Sequence, residues 1–164
     1  MAFRVDRSRT IITAMILGRG ITAMDVAWLR REVFADRMVT REAADELFAV
    51  ERAGLANAPE WTEFFVEMIV EHVVWQVAER GVIEDADAKW LAERVAECCT
   101  NNALAALAAA LGEARRAPGW LIAEARSRTA SGWPGVAAAT RDAMPALMSG
   151  DDFRFQSGQS AALA

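Results

Sequence analysis

The sequence predicts an all-α fold: a single compact bundle of about seven helices around one central apolar helix. Three observations predict it. Strand signals are nearly absent, with no tyrosine, no sustained apolar–polar alternation, and no Asn-Gly or Asp-Gly hairpin dipeptide. Glycine, proline and capping residues instead divide the chain into segments of helical period. One segment, Pro59 to Glu79, is apolar around almost its whole circumference, which a helix tolerates only when other helices surround it. At 164 residues the chain has the size of one domain. That domain is expected over residues 1–148, with a polar, small-residue tail over 149–164 that frays.

A first helix is expected from about Arg7 to Leu17, stopped by Gly18-Arg19-Gly20. The stretch Met1 to Gly20 has the arginines and apolar patch of a targeting peptide. Asp6 interrupts its basic region, however, and Arg19 follows the patch without a small-residue cleavage site, so an amphipathic helix is the better reading. Ile11 to Leu17 is too short to span a bilayer. Thr22-Ala23-Met24-Asp25 reads as a capping box and opens a second helix, with Val26, Leu29 and Val33 on one face and Arg30 and Arg31 outward.

Thr40 caps a third helix, with Glu42 in its first turn where the macrodipole favours an anion. It carries Ala44, Leu47, Phe48 and Val50 and ends at Gly54. Pro59 suits the first position of a fourth helix reaching about Glu79, closed by Gly81. This is the central rod: Trp61, Phe64, Phe65, Ile69, Val73 and Trp75 belong to its apolar surface, and Glu60, Glu63, Glu67 and Glu71 form its one polar line. Asp85 caps a fifth helix to about Ala96, and Asn102 a sixth to about Arg116. Pro118 opens a seventh that ends near Ser131-Gly132, and a weaker eighth covers Val136 to Leu147, cut by Pro145.

The chain repeats itself. Ile21-Thr22-x-x-Asp25-x-x-Trp28-Leu29-x-x-x-Val33 recurs 62 residues on as Ile83-Glu84-x-x-Asp87-x-x-Trp90-Leu91-x-x-x-Val95. Ala58-Pro59-Glu60-Trp61 recurs 59 residues on as Ala117-Pro118-Gly119-Trp120. Two diverged units result, one over about 20–79 and the other over about 82–131. Duplication points to a pseudo-symmetric scaffold and says nothing for catalysis.

Composition removes several functions. A net charge of −5 leaves no electrostatic case for nucleic acid. The adjacent pair Cys98-Cys99 cannot staple distant parts of a fold, which fits a reducing, cytoplasmic setting. The pair suits a soft metal as thiolates but lacks the partners of a zinc site, so inert thiols are the expectation. No glycine-rich phosphate loop is present. His72, the sole histidine, would have to serve any Ser-His-Asp or Cys-His arrangement from within the rod. It follows Glu71 directly, so Glu63, Glu67 and Glu71 beside it do not make the Glu-x-x-His pairs of a di-metal bundle. Trp133, in the turn Ser131-Gly132-Trp133-Pro134-Gly135, either packs back over the bundle or is left for a partner.

The loops before the repeated helices have an EF-hand outline. Counting back from Ile83 to the calcium positions finds Gln76, Ala78 and Arg80; counting back from Ile21 finds Ala14, Ile16 and Gly18. The loop from Phe34 to Val39 keeps Asp36 but has Ala43 where the bidentate acid belongs. EF-hand calcium binding is therefore not expected. Three stretches carry a family likeness: Ala35-Asp36-x-x-Val39-Thr40-x-Glu42, Glu60-Trp61-x-x-Phe64-Phe65-Val66-Glu67, and Gly81-x-Ile83-x-x-x-x-Ala88-x-Trp90-Leu91. With them the segment from Ile21 to about Trp120 resembles the TerB-like helical proteins of tellurite resistance and related bacterial EF-hand-like domains. In that family a D-G-x-[IV]-S-x-x-E segment supplies carboxylates to a metal. Here Asp36 matches the first acid, Arg37 replaces the glycine, and Glu42 falls one residue short of the second.

The expectation is a non-enzymatic, cytoplasmic TerB-like module with no catalytic residue and no bound cofactor, working through a protein partner or a homodimer. The resemblance implies a link to metal, tellurite or envelope stress. One alternative is divalent-metal binding through Asp36, Glu42, Glu63, Glu67 and Glu71; another is a helical enzyme using His72.

Overall fold

A computed structural model describes residues 17–18 and 20–130, and every regular element among them is a helix. There are six. α1 spans Ala23–Trp28 and continues through a π-helical turn, Leu29–Val33; α2 spans Arg41–Arg52. α3 spans Pro59–Val70 and continues through a second π-helical turn, Glu71–Trp75. α4 (Asp85–Cys98), α5 (Asn101–Glu113) and α6 (Gly119–Ala130) follow. The expected helix before Leu17, the one over Val136 to Leu147, the tail and Trp133 lie outside the described residues.

Helix starts follow local chemistry. The Asp25 amide donates to Thr22 Oγ1 at 3.2 Å while the Thr22 amide donates to Asp25 Oδ2 at 2.8 Å, completing the capping box. Thr40 Oγ1 accepts from the Ala43 amide at 3.2 Å, and Pro59 stands in the first turn of α3.

Four boundaries depart from expectation, three of them because a distant group wins. Glu84 rather than Asp85 precedes α4; Asp85 is the first helical residue and pairs with Lys89 at 2.9 Å. Thr100, not Asn102, caps α5 by accepting from the Ala103 amide, and the Asn102 amide group turns to Glu51 instead. α5 stops at Glu113 rather than Arg116, because the Arg115 amide donates to Gly81 O at 2.7 Å and Arg116 O accepts from the Ile83 amide at 2.9 Å. The rod stops at Trp75 rather than Glu79. Gln76 leaves the helix (φ −100°), its Oε1 accepting from the Val39 amide at 2.7 Å and its Nε2 donating to Arg37 O.

The core draws on all six helices. Phe64, Phe65, Ile69, Val73 and Val74 of the α3 segment have no exposed surface. Rings interlock edge-on, Phe48 with Phe65 at 5.2 Å and Phe34 with Phe64 at 5.6 Å. α5 lies along α3, and its buried Ala103, Ala106 and Ala110 keep the two backbones close. The rod is less enclosed than its composition suggests: Trp75 is 37% exposed, and Val66 and Val77 are half-buried. Its open side carries Thr62, Glu63, Val66, Glu67 and Glu71.

The segments matched in the repeat make comparable pairings. Ile21 O accepts from the Ala58 amide at 2.8 Å, just before Pro59; the Ile83 amide donates to Arg116 O, just before Ala117-Pro118. Trp28 and Trp90 are both half-buried against the core, whereas Trp61 is sealed and Trp120 is exposed.

Candidate functional site

The open side of α3 forms a groove of about 510 Å³, lined by Thr62, Glu63, Val66, Glu67, Val70, Glu71 and Trp75, with Arg37 and Glu113 on its flanks. Spacing of three and four residues puts these α3 positions on one face. Val66, Val70 and the Trp75 ring supply apolar surface, and four carboxylates stand around it. Trp75 is held by its Nε1, which donates to Glu113 Oε2 at 2.8 Å, tying the end of the rod to the end of α5.

Two arginines meet the glutamate line. Arg37 Nη2 donates to Glu67 Oε1 at 2.9 Å and to Glu71 Oε1 at 3.1 Å, and Arg30 Nη1 lies 2.7 Å from Glu67 Oε2. Arg30 also stacks over the Phe64 ring, 5.2 Å from its centroid. Arg37 adopts φ +57°, a left-handed conformation that a glycine would take freely. A side chain there costs on the order of 1 kcal/mol. Its exposed ion pairs offset part of that, each about 0–1 kcal/mol. The Arg37 backbone is also held, since its carbonyl accepts from Gln76.

The five acids considered as metal ligands are not gathered. Glu63, Glu67 and Glu71 share the groove, but Glu67 and Glu71 already face the guanidinium groups. Asp36 Oδ1 accepts from the Met38 amide at 3.1 Å, which shapes its own turn. Glu42 is exposed in the first turn of α2. Among the described residues no three His, Cys, Asp or Glu side chains are grouped to hold a metal ion. A hard cation needs several converging oxygens; two of the closest here converge on arginine.

His72 sits behind the groove. Its Nδ1 donates to Val39 O at 2.8 Å, a carbonyl that can only accept, so Nε2 carries the lone pair. That Nε2 is buried and meets no hydrogen-bond donor. Burial, and after it the Arg41 charge, hold the imidazole below its ordinary pKa. Its ring lies edge-on to Trp90 at 5.2 Å, with Arg41 over the other ring contact, 4.2 Å from the Trp90 centroid, and paired with Asp87. Trp90 Nε1 and Arg94 Nε both donate to Asp45 Oδ1, at 2.9 and 2.7 Å. This assembly packs α2, α3 and α4 together, and His72 lines neither the groove nor the smaller cavity beside α4.

That smaller cavity, about 260 Å³, is lined by Asp45, Phe48, Ala49, Arg52, Arg94, Glu97 and Cys98. Burial, with the nearby Glu51 charge, pushes the Cys98 thiol up to about 11, and it donates to Phe48 O. It is therefore protonated near neutral pH, with little thiolate to act as a nucleophile. Exposed Cys99 ends α4 in a left-handed conformation.

Sequence reasoning found the glutamate line but missed the rest of the groove. Arg37 and Glu113 come from other elements, and Trp75 reads as core until the helix is seen to end there. The spacing of Thr62, Val66 and Val70 was a usable signal, hidden within a segment apolar on every side. No helix among the described residues is long and apolar enough to cross a membrane. Comparison with protein-family models, curated proteins and solved structures finds no match to this chain.

Proposed function

We propose that this chain is a TerB-like, non-enzymatic helical module that acts by binding another protein through the acidic groove over α3. One observation carries the reading: a helix otherwise committed to the core leaves Val66 and Trp75 accessible, over buried Val70, in a groove ringed by Glu63, Glu67, Glu71 and Glu113. Apolar anchors inside a charged rim are the anatomy of a recognition surface. The acids favour a partner helix with basic residues beside an apolar stripe. His72 and Cys98, both turned to internal carbonyls, fit a protein without an active site.

The resemblance supplies the setting, a bacterial response to metal, tellurite or envelope stress, in the cytoplasm. In this reading α3 is the hub of two duplicated units, supported by the like pairings at Ile21 and Ile83. The test is retention of a partner by the full chain on affinity resin. Glu63→Arg should release most of it at an unchanged melting temperature, and light scattering of the pure chain separates a homodimer from a foreign partner. Equal retention by parent and variant, or substrate turnover by a strictly monomeric chain, refutes the proposal.

A further inference from the structure

We infer that Arg37 holds, in the α3 groove, the place of an arginine that the partner brings. The partner's guanidinium displaces it from Glu67 and Glu71, so Arg37 sets how tightly the groove binds; this rests on the groove being the partner's site. Three observations single out Arg37. The first is its position. Its Nη2 lies 2.9 Å from Glu67 Oε1 and 3.1 Å from Glu71 Oε1, bridging two carboxylates one helical turn apart in the groove that holds Val66 and Trp75. A guanidinium suits that task better than an ammonium, because its planar donors meet two carboxylates at once.

The second is that the side chain can swing while its backbone is fastened. The Arg37 amide donates to Phe34 O at 2.9 Å, and Arg37 O accepts from Gln76 Nε2. Two residues on, the Val39 amide donates to Gln76 Oε1 at 2.7 Å, and Val39 O accepts from His72 Nδ1 at 2.8 Å. The Arg37 side chain above this turn is 61% exposed, and ion pairs that exposed hold weakly. Arg37 leaves the acids by changing rotamer, with the turn in place.

The third is what remains when it goes. Arg30 Nη1 stays 2.7 Å from the other oxygen of Glu67, anchored by its stacking over the Phe64 ring. Glu71 keeps Gln76 Nε2, 3.4 Å from its Oε2. Displacement therefore strips neither acid, and the incoming guanidinium makes the bonds that Arg37 gives up. Neither arginine pairs with Glu63, one turn nearer the start of α3. A second basic residue of the partner helix, about two turns from the first, falls on that carboxylate.

The probe is an alanine-based helical peptide of about four turns, with a leucine stripe and two arginines about two turns apart beside it. It is titrated into the full chain, and a matched peptide carries lysines in the arginine positions. Calorimetry reads affinity, and the Arg37 Nε–H resonance, assigned by its loss in Arg37→Gly, reads displacement. At saturation that resonance should move to the position of an unpaired guanidinium, and the lysine peptide should bind at least about threefold more weakly. Arg37→Gly should bind the arginine peptide about three- to tenfold more tightly than the parent, as for a resident that fills its place about two-thirds to nine-tenths of the time. Arg31→Gln, which removes the same charge from an exposed residue outside the groove, should stay within about twofold of the parent. Any of four results overturns the inference: an Arg37 resonance unmoved at saturation, equal affinity for the two peptides, a gain in Arg37→Gly absent or matched by Arg31→Gln, or no peptide binding to either chain. Partner retention reads the proposed function separately. Retention released by Glu63→Arg alongside any of those results removes the inference and keeps the function; peptide displacement of Arg37 with no partner retained does the reverse.

Discussion

Replacing Glu51 should destabilise the bundle far more than an acid at the end of a surface helix suggests. Glu51 lies in the last turn of α2, where the macrodipole disfavours an anion, yet it is 7% exposed. Its Oε2 accepts from Trp61 Nε1 at 2.7 Å and from Asn102 Nδ2 at 3.2 Å, stitching α2 to α3 and α5. In Glu51→Leu the Trp61 N–H, on a residue 1% exposed, has no water to turn to. A buried donor left unmet costs about 1–3 kcal/mol. Half-buried Asn102 reaches solvent and should add less than about 1 kcal/mol. Relief of the macrodipole returns about 0.3–1 kcal/mol. The net loss expected is centred on about 2 kcal/mol, while Glu51→Gln, which keeps an acceptor, should stay within about 1 kcal/mol of the parent. Urea unfolding of parent, Glu51→Leu, Trp61→Phe and the double variant closes a cycle whose coupling should be about 1–2 kcal/mol. Coupling near zero, or a Glu51→Leu chain as stable as the parent, would show that the contact does not hold these helices.

Two further outcomes follow from the groove and from what lies behind it. Arg37→Ala and Arg37→Gly both remove the pairs with Glu67 and Glu71, but only glycine is at ease at φ +57°. Arg37→Gly should therefore exceed Arg37→Ala in stability by about 1 kcal/mol in chemical denaturation; equal values would argue against the left-handed turn. His72 titrates below its ordinary value in the fold, because burial of its cation outweighs the raising effect of the Val39 carbonyl; Arg41 adds to the lowering, and Asp87 and Asp45 oppose it. As pH falls past about 6.5 the unfolded chain takes the proton first, so stability declines until the folded imidazole also charges. The decline is at most about 1.4 kcal/mol per pH unit, and His72→Gln should abolish this contribution in the window that opens just below about pH 6.5. Identical slopes for the two chains across that window would contradict the buried, neutral His72.

Reading the residues in order was enough for the helical class and for most helix starts. Thr22, Thr40 and Pro59 act on amides within three residues of themselves, so their partners are visible in the local sequence. The glutamate line was visible for the same reason, since helical period alone places Glu63, Glu67 and Glu71 on one side. Where helices end was less legible. Gln76 and Arg115 stop α3 and α5 by bonding to residues more than thirty positions away, and nothing local announces either.

The site divides in the same way. A row of acids beside Asp36 suggests a cation site when only the row is seen. Packing brings Arg30 and Arg37, the latter 30 and 34 residues from its glutamates, onto the same oxygens and turns the row into an internal ion-pair network. Glu51 was unremarked because an acid near a helix end is ordinary; folding gave it an indole and an amide to bind. Secondary structure here depends on short-range bonds and periodic burial, which a linear pattern encodes. The character of the groove depends on which charges meet across the bundle, and only the packed chain brings those residues together.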